Sequence, residues 1–380
     1  MKILYVCFAI DQETTSKYQI TSDSPAAFVK VKSVCDAIKT TGNEVSILGM
    51  GIFNSKVTVK YLQDKTVDGI NIKYIHNKRT KGLRNFYTLF VLPSYIKKEN
   101  PDVVIFYNYS FEYFRAVNYC KRAGVKFIID IEDGVNKELN YLQYKFRKRV
   151  YRNFIRKANG NVFTVCKALT QDDVVKNSLI IYGTGRSVEK NNKDYNSDKI
   201  SFLFCGTIIK ETGAEYIIAA LKKLSMMNDI NSKVFINICG FGNYDNQLKD
   251  LSEKYSSFVK FHGKVDRQSY TDLLDKSDCA FVLRVAESSM AQTTFPSKVV
   301  ELSLNNLGLI TTPASDIPLL FTEEEVFFVN NEDEIISSIR EIISNPQLFI
   351  EKREKLFKKA CDNFDMKSIG KNIIDFIERM

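Results

Sequence analysis

The chain has 380 residues, 44% of them hydrophobic, with 54 basic against 45 acidic residues and a formal net charge of +9. That length suits two domains with substantial cores, and no run approaches the roughly 18 uncharged apolar residues of a bilayer-spanning helix. Eight scattered cysteines without a C-x-x-C pair, and two distant histidines, His76 and His262, argue against a disulfide scaffold and a His/Cys metal site.

From the N-terminus, MKILYVCFAI lacks a basic leader and a small-residue cleavage site, and reads as a first β-strand rather than a signal peptide. Alternating apolar runs and helical periods then predict strands at 2–8, 44–49, 70–75, 103–108, 125–131, 161–165 and 178–182. Helices are expected at 25–41, 84–98, 110–122, 136–157 and 167–175. Strand alternating with helix describes a doubly wound α/β sheet. The polar stretch 186–199, RSVEKNNKDYNSDK, has a linker's composition and separates the two halves.

Charge divides unevenly at that linker. Residues 1–190 carry 31 basic and 17 acidic residues, a net of +14; residues 191–380 carry 23 and 28, a net of −5. Two patches supply much of the excess: HNKRTKGLRNFY (76–87) and YLQYKFRKRVYRNFIRKA (141–158), the second with seven basic and no acidic residues. As a helix, 141–158 is expected to turn Leu142, Phe146, Tyr151 and Phe154 toward one side. A basic amphipathic helix suits an anionic membrane surface, with about 1 kcal/mol per basic group. The equal alternative is a solvated helix packed on its own sheet. No recognition module or stacking pattern supports a nucleic-acid partner.

Two strand ends in this half are rich in polar groups: Tyr107, Asn108 and Tyr109, and Asp130, Glu132 and Asp133. Carboxylates directly after an apolar strand are costly unless solvated, paired or functional. They are the catalytic candidates, able to orient an acceptor hydroxyl or accept its proton; Asp133-Gly134 reads equally as a turn and cap.

In the second half, SFLFCGTIIKETGAEYIIAALKKL predicts a strand ending at Gly206, a polar turn with Thr207 and Lys210, and a helix from about Thr212. VFINICGFGNYDNQLKDLSEKY adds a strand, with Gly240 and Gly242 opening another helix. FVKFHGKVDRQSYTDLLDKSDCAFVLR gives a short strand, His262-Gly263-Lys264-Val265, a helix, and a strand ending at Arg284. A polar loop with Thr293 and Thr294 follows, and Phe295-Pro296-Ser297-Lys298 leads into a helix carrying Glu301. Strand, loop, helix is how α/β proteins build anion sites, since the unpaired amides and dipole at a helix start favour negative charge. Glu301, a turn deeper, is placed to accept bonds from a hydroxyl pair such as a ribose diol. Together these describe a nucleotide-sugar site.

These segments, in this order over residues 200–305, resemble the donor half of retaining glycosyltransferases of the GT-B fold, in the bacterial branch reading "LLR … FP(S/T)KxxE". The resemblance implies two Rossmann-like domains facing across a cleft: 1–187 for the acceptor, 188–365 for the donor, and a helix at 366–380 crossing back to the first domain. It implies that Glu301 binds the ribose, that the backbone at Lys264-Val265 receives the base, and that the turn after Gly206 approaches the diphosphate. The sequence departs from the family where Thr293 stands for a glutamate that touches the sugar, and where Thr207 and Thr212 stand for an Arg and a Lys. Lys210, Arg284 or Lys298 would then neutralise the diphosphate.

The activity implied is transfer of a hexosyl group from a nucleoside-diphosphate sugar to a glycan or lipid-linked acceptor, with retention and with neither metal nor bound cofactor. The setting implied is surface-polysaccharide synthesis, in the cytoplasm or at the inner face of the membrane. A noncatalytic partner subunit and a nucleotide-sugar epimerase of the same fold are the alternatives. The missing G-x-G-x-x-G after the first strand argues against an oxidoreductase.

Overall fold

A computed structural model describes residues 1–20, 25–55, 57, 59, 61–76, 81–132, 134–135, 140–189, 199–285 and 294–380. The chain divides into two compact units, one of residues 1–184 and 366–380, the other of residues 185–365.

The first unit contains β1 (Lys2–Cys7), α1 (Gln12–Lys17), α2 (Pro25–Lys39), β2 (Glu44–Gly49), β3 (Lys65–Val67), β4 (Ile70–Tyr74) and α3 (Lys81–Glu99). β5 (Val103–Tyr107), α4 (Phe114–Ala123), β6 (Lys126–Ile131), α5 (Tyr141–Lys157), β7 (Asn161–Thr164) and β8 (Asn177–Ile180) follow. Its eight-stranded sheet runs β3-β4-β2-β1-β5-β6-β7-β8, parallel apart from the β3–β4 hairpin. Both faces are covered, as a parallel sheet requires. Ile3, Tyr5, Ile105 and Ile128 pack with α2 on one face, while Leu4, Val6, Phe106 and Ile129 pack with α3, α4 and α5 on the other.

The second unit contains β9 (Ile200–Ile208), α6 (Ala214–Leu224), α7 (Asn228–Asn231), β10 (Val234–Gly242), α8 (Asp245–Lys254), β11 (Val259–Phe261), α9 (Arg267–Lys276) and β12 (Cys279–Val282). α10 (Ser297–Leu304), β13 (Gly308–Thr311), α11 (Ile317–Leu320), β14 (Phe327–Phe328), α12 (Glu332–Ser344) and α13 (Pro346–Phe364) complete it. Its parallel sheet runs β11-β10-β9-β12-β13-β14.

The last helix, α14 (Met366–Glu378), belongs to the first unit. Ile369, Ile373, Phe376 and Ile377 are all buried there against the core that α2 covers, and Phe376 meets Phe163 at 5.5 Å between ring centres. Gly370 lies so close to α2 that a Cβ would meet the Ala37 carbonyl at 2.1 Å.

Several sequence expectations need correction. The stretch 167–175 is only a short 3-10 turn, Lys167–Thr170, with β8 starting at Asn177. α1 was not expected; it is capped by Asp11, whose side chain accepts from Thr14 N at 2.9 Å. α5 starts at Tyr141, capped by Asn140 accepting from Gln143 N at 3.0 Å; residues 136–139 lie outside the described residues. Its apolar residues do not share one side. Tyr151, Phe154 and Ile155 are buried, whereas Leu142 and Phe146 are exposed.

Candidate active site

Because the strands of the second unit are parallel, all their carboxyl ends gather at one edge of the sheet. β9 and β10 run side by side to that edge with Gly206 opposite Gly240 and Ile208 opposite Gly242. The glycines permit this approach: a Cβ on Gly240 would meet the Gly206 carbonyl at 1.9 Å, and one on Gly242 the Ile208 carbonyl at 1.9 Å. Gly206 and Gly240 also hold positive φ, +121° and +146°, which L side chains rarely adopt. The result is a stretch of bare backbone past Gly206, beside which Lys298 Cε lies 3.7 Å from where a Cβ would stand.

α10 starts at this edge. Pro296 is its cap residue, Phe295 is buried and anchors the entry, Ser297 is exposed, and Thr294 is half-buried. Lys298 and Glu301 lie a turn apart on one face, Nζ to Oε2 2.6 Å. Lys298 Nζ also donates to the Tyr270 hydroxyl of α9 at 2.8 Å and stacks over that ring at 4.5 Å. Tyr270 in turn lies 3.5 Å from Cys205 Sγ. A lysine ammonium can only donate, so Tyr270 accepts from Lys298, while in its contact with Cys205 either the hydroxyl or the thiol can donate. Burial lowers the Lys298 pKa, but Cys205 and Glu301 beside it outweigh this and hold it above its ordinary value. Burial, with Cys205 and Glu301, raises Tyr270 and keeps it a protonated phenol.

The remaining donor-side candidates border the same edge. Arg284 follows β12; its backbone N–H donates to Thr312 Oγ1 at 2.8 Å. Its guanidinium Nη1 is buried and, among the described residues, has no hydrogen-bond partner; desolvation lowers its pKa. A buried cationic donor left unmatched is a group that an anionic ligand would satisfy. Val285 N donates to the Glu211 carbonyl at 3.1 Å, tying this segment to the turn after β9. Within that turn Thr212 Oγ1 donates to the Thr207 carbonyl at 2.6 Å and accepts from Ile209 N at 3.1 Å. Thr212 therefore builds the turn, and Thr207 is exposed beside it. Lys210 is also exposed, 3.9 Å from Glu215.

At the β10–β11 side, Gly240 N donates to the Gly263 carbonyl at 2.8 Å, which fixes the backbone leading to Lys264 and Val265. Lys264 Nζ lies over the Phe241 ring at 5.5 Å. His262 is held by its backbone N–H on the Ile238 carbonyl and by Nε2 against Asn237 Oδ1, 2.9 Å. Thr293 lies outside the described residues. Tyr270 and its contact with Cys205 leave no mark in the sequence: α9 reads as an ordinary solvated helix, and only the fold brings it beside Lys298.

On the first unit the carboxylate candidates separate. Asp130 is fully buried; its carboxylate accepts from the Tyr5 hydroxyl and, at 3.2 Å, from Lys30 Nζ. Glu132 is a second partner of Lys30 and is half-buried. Asn108, at positive φ of 56°, donates its backbone N–H to the Asp130 carbonyl at 2.6 Å and accepts from Glu132 N at 2.8 Å. Asp133 lies outside the described residues. Enclosure turns Asp130 from a group that would meet an acceptor into one that positions Lys30, leaving Glu132 nearer the surface. A cavity lined by Asn161, Lys176, Asn177 and Arg379 lies at the amino ends of β7 and β8, away from these carboxylates.

Residues 185–362 match the family model described as "Glycosyl transferases group 1". Among curated proteins, none matches the sequence. Solved structures similar over the whole chain include a glycosyltransferase from Rickettsia africae ESF-5, at 13% identity and TM-score 0.69, covering 100% of this chain and 98% of that one. Anabaena Alr3699/HepE in complex with UDP matches at 13% identity and TM-score 0.67, covering 100% of both chains. The lipopolysaccharide outer core galactosyltransferase WaaB matches at 12% identity and TM-score 0.65, covering 100% and 99%. The fold is therefore that of the GT-B glycosyltransferases, as the sequence resemblance implied. The match to the group 1 model falls within the second unit.

Proposed function

We propose that the protein transfers a hexosyl group from a nucleoside-diphosphate sugar to a glycan or lipid-linked acceptor, with retention of configuration, in cell-surface polysaccharide synthesis. The observation that carries this reading is the Lys298–Glu301 pair at the start of α10, beside the bare backbone of Gly206, within the stretch that matches the group 1 model. In this reading Glu301 accepts the ribose hydroxyls, the amides at the start of α10 take the diphosphate, and Lys298 and Arg284 neutralise it. As the glycosidic bond to the diphosphate breaks, negative charge grows on the departing oxygen. Fixed donors aimed there are the largest expected catalytic contribution, and they serve without a metal. UDP and UDP-glucose complexes of HepE support a nucleotide-sugar donor.

On the acceptor side, Glu132 with Lys30 is the pair assigned to the acceptor hydroxyl, and Asp130 holds Lys30 in place. Among the described residues no helix is long and apolar enough to cross a membrane; attachment to an anionic inner membrane face is assigned to 76–87 and 141–158. A noncatalytic partner-subunit role is favoured only by threonine at position 293. Incubation with a panel of nucleotide sugars and an acceptor extract separates the two: a transferase releases free nucleoside diphosphate and labels the acceptor, whereas a scaffold does neither.

A further inference from the structure

In the first unit the helices α3, α4 and α5 lie on one face of a parallel sheet. Each follows a strand, β4, β5 or β6, so the beginnings of all three helices gather at the carboxyl edge of the sheet, where Glu132 and Lys30 also lie. Large apolar side chains stay in solvent at these beginnings. Leu83 and Phe86 are exposed in the first two turns of α3, Phe111 just before α4, and Leu142 and Phe146 in the first two turns of α5. Leu142 is 77% and Phe146 70% exposed.

On α5 the arrangement is specific. At about 3.6 residues per turn, Leu142 and Phe146 fall opposite Tyr151, Phe154 and Ile155, which face the sheet. Lys145 and Arg149 flank them on the same outward side. Among the described residues, none of Lys145, Arg147, Lys148 and Arg149 forms an ion pair; Lys145 and Lys148 only cover the Tyr141 and Tyr144 rings. α4 adds the exposed Arg115 and contains no acidic residue. Aromatic and aliphatic groups projecting among unpaired cations, with no acidic residue in α5 itself, match an anionic lipid surface in both polarity and charge.

We propose that the beginnings of α3, α4 and α5 form a bilayer-docking face, in which Leu142 and Phe146 enter the headgroup–acyl boundary while Lys145 and Arg149 meet acidic headgroups. This deepens the proposed function and rests on it for one point: docking at the acceptor edge selects acceptors whose lipid portion remains in the membrane. The docking itself does not require the donor assignment.

The test is co-sedimentation of the full chain with phosphatidylglycerol-containing vesicles and with pure phosphatidylcholine vesicles, at low and high salt. The wild type should bind the anionic vesicles at low ionic strength. Leu142→Ser/Phe146→Ser should weaken this about tenfold or more at both salt concentrations. Lys145→Gln/Arg149→Gln should weaken it at low salt and flatten the salt dependence. All four side chains are exposed, so circular dichroism and melting should be unchanged in both variants. Wild-type protein that ignores anionic vesicles at low salt overturns the proposal, and so does binding unaltered by Leu142→Ser/Phe146→Ser; either result would leave the face to a protein partner. Nucleoside-diphosphate binding, measured in parallel on the same samples, reports separately on the donor assignment.

Discussion

Lys298 Nζ lies 2.6 Å from Glu301 Oε2 and 2.8 Å from the Tyr270 hydroxyl, so a single ammonium is shared between the helix that starts the site and the helix beside it. A diol on Glu301 and a diphosphate on Lys298 would each replace part of that sharing. Lys298→Met should therefore weaken binding of a nucleoside diphosphate by about 1.5–3 kcal/mol, while a nucleoside lacking phosphates loses far less. Tyr270→Phe, which removes only the hydroxyl acceptor, should give a smaller loss. Calorimetric titration of both variants checks this, and equal losses for diphosphate and nucleoside would remove Lys298 from the phosphate side.

Gly240→Ala should destabilise the second unit. The new Cβ would meet the Gly206 carbonyl at 1.9 Å from a backbone at φ +146°, and strain at such a position is on the order of 1–3 kcal/mol before any displacement of β9. A thermal melt should show a clear drop, together with weaker nucleotide binding, since the same glycine pair shapes the edge. A variant melting like the wild type would mean that the strands separate there at no cost.

Cys205 should be the reactive thiol of the chain. A hydrogen bond from Cys239 and the nearby Lys298 ammonium outweigh burial and lower its pKa to about 7. Burial raises Cys120 and Cys279 instead, to about 12 in the first case. The thiolate is the nucleophile. Its fraction falls below half as pH drops through about 7, so alkylation by iodoacetamide should rise with pH to a midpoint near there. Bound nucleotide should slow it. Peptide mapping of the alkylated protein checks both, and labelling that is independent of nucleotide would place Cys205 away from the ligand.

Ile373→Ala should cost about 2–5 kcal/mol, because Ile373 is fully buried on α14 against the α2 side of the first unit. Gly370→Val should cost as much by another route, since its side chain would strike the Ala37 carbonyl. Denaturant unfolding of each variant reads the loss directly. Wild-type stability in both would contradict the packing of this helix.

The sequence made much of this architecture readable. β1 after Lys2 and β5 are continuous apolar runs of the kind that parallel, doubly covered strands require, and the Phe295–Glu301 stretch announced its helix start through Pro296. Other features depend on tertiary contact. α5 carries apolar groups on two opposite sides, Leu142 and Phe146 against Tyr151 and Phe154, and periodicity alone cannot say which side the sheet will cover. Asp130 reads as a catalytic candidate like Glu132, but it lies within β6 on a sheet covered on both faces and is enclosed, where Tyr5 and Lys30 satisfy it. Tyr270 left no local signal, because its role depends on α9 lying beside α10.

The central claim is that the carboxyl edge of the second unit binds a nucleoside-diphosphate sugar through Glu301. The most direct measurement is a thermal-shift titration of wild type and Glu301→Ala with UDP, GDP, ADP, TDP and their sugars. Ligand binding to the folded state raises stability by RT ln(1 + [L]/Kd), so one base should raise the wild-type melting temperature in a saturable way. Glu301→Ala should melt like the wild type without ligand and require about tenfold more of that nucleotide, or beyond, for the same shift. No shift with any nucleoside diphosphate, or identical titrations for the two proteins, would contradict the account.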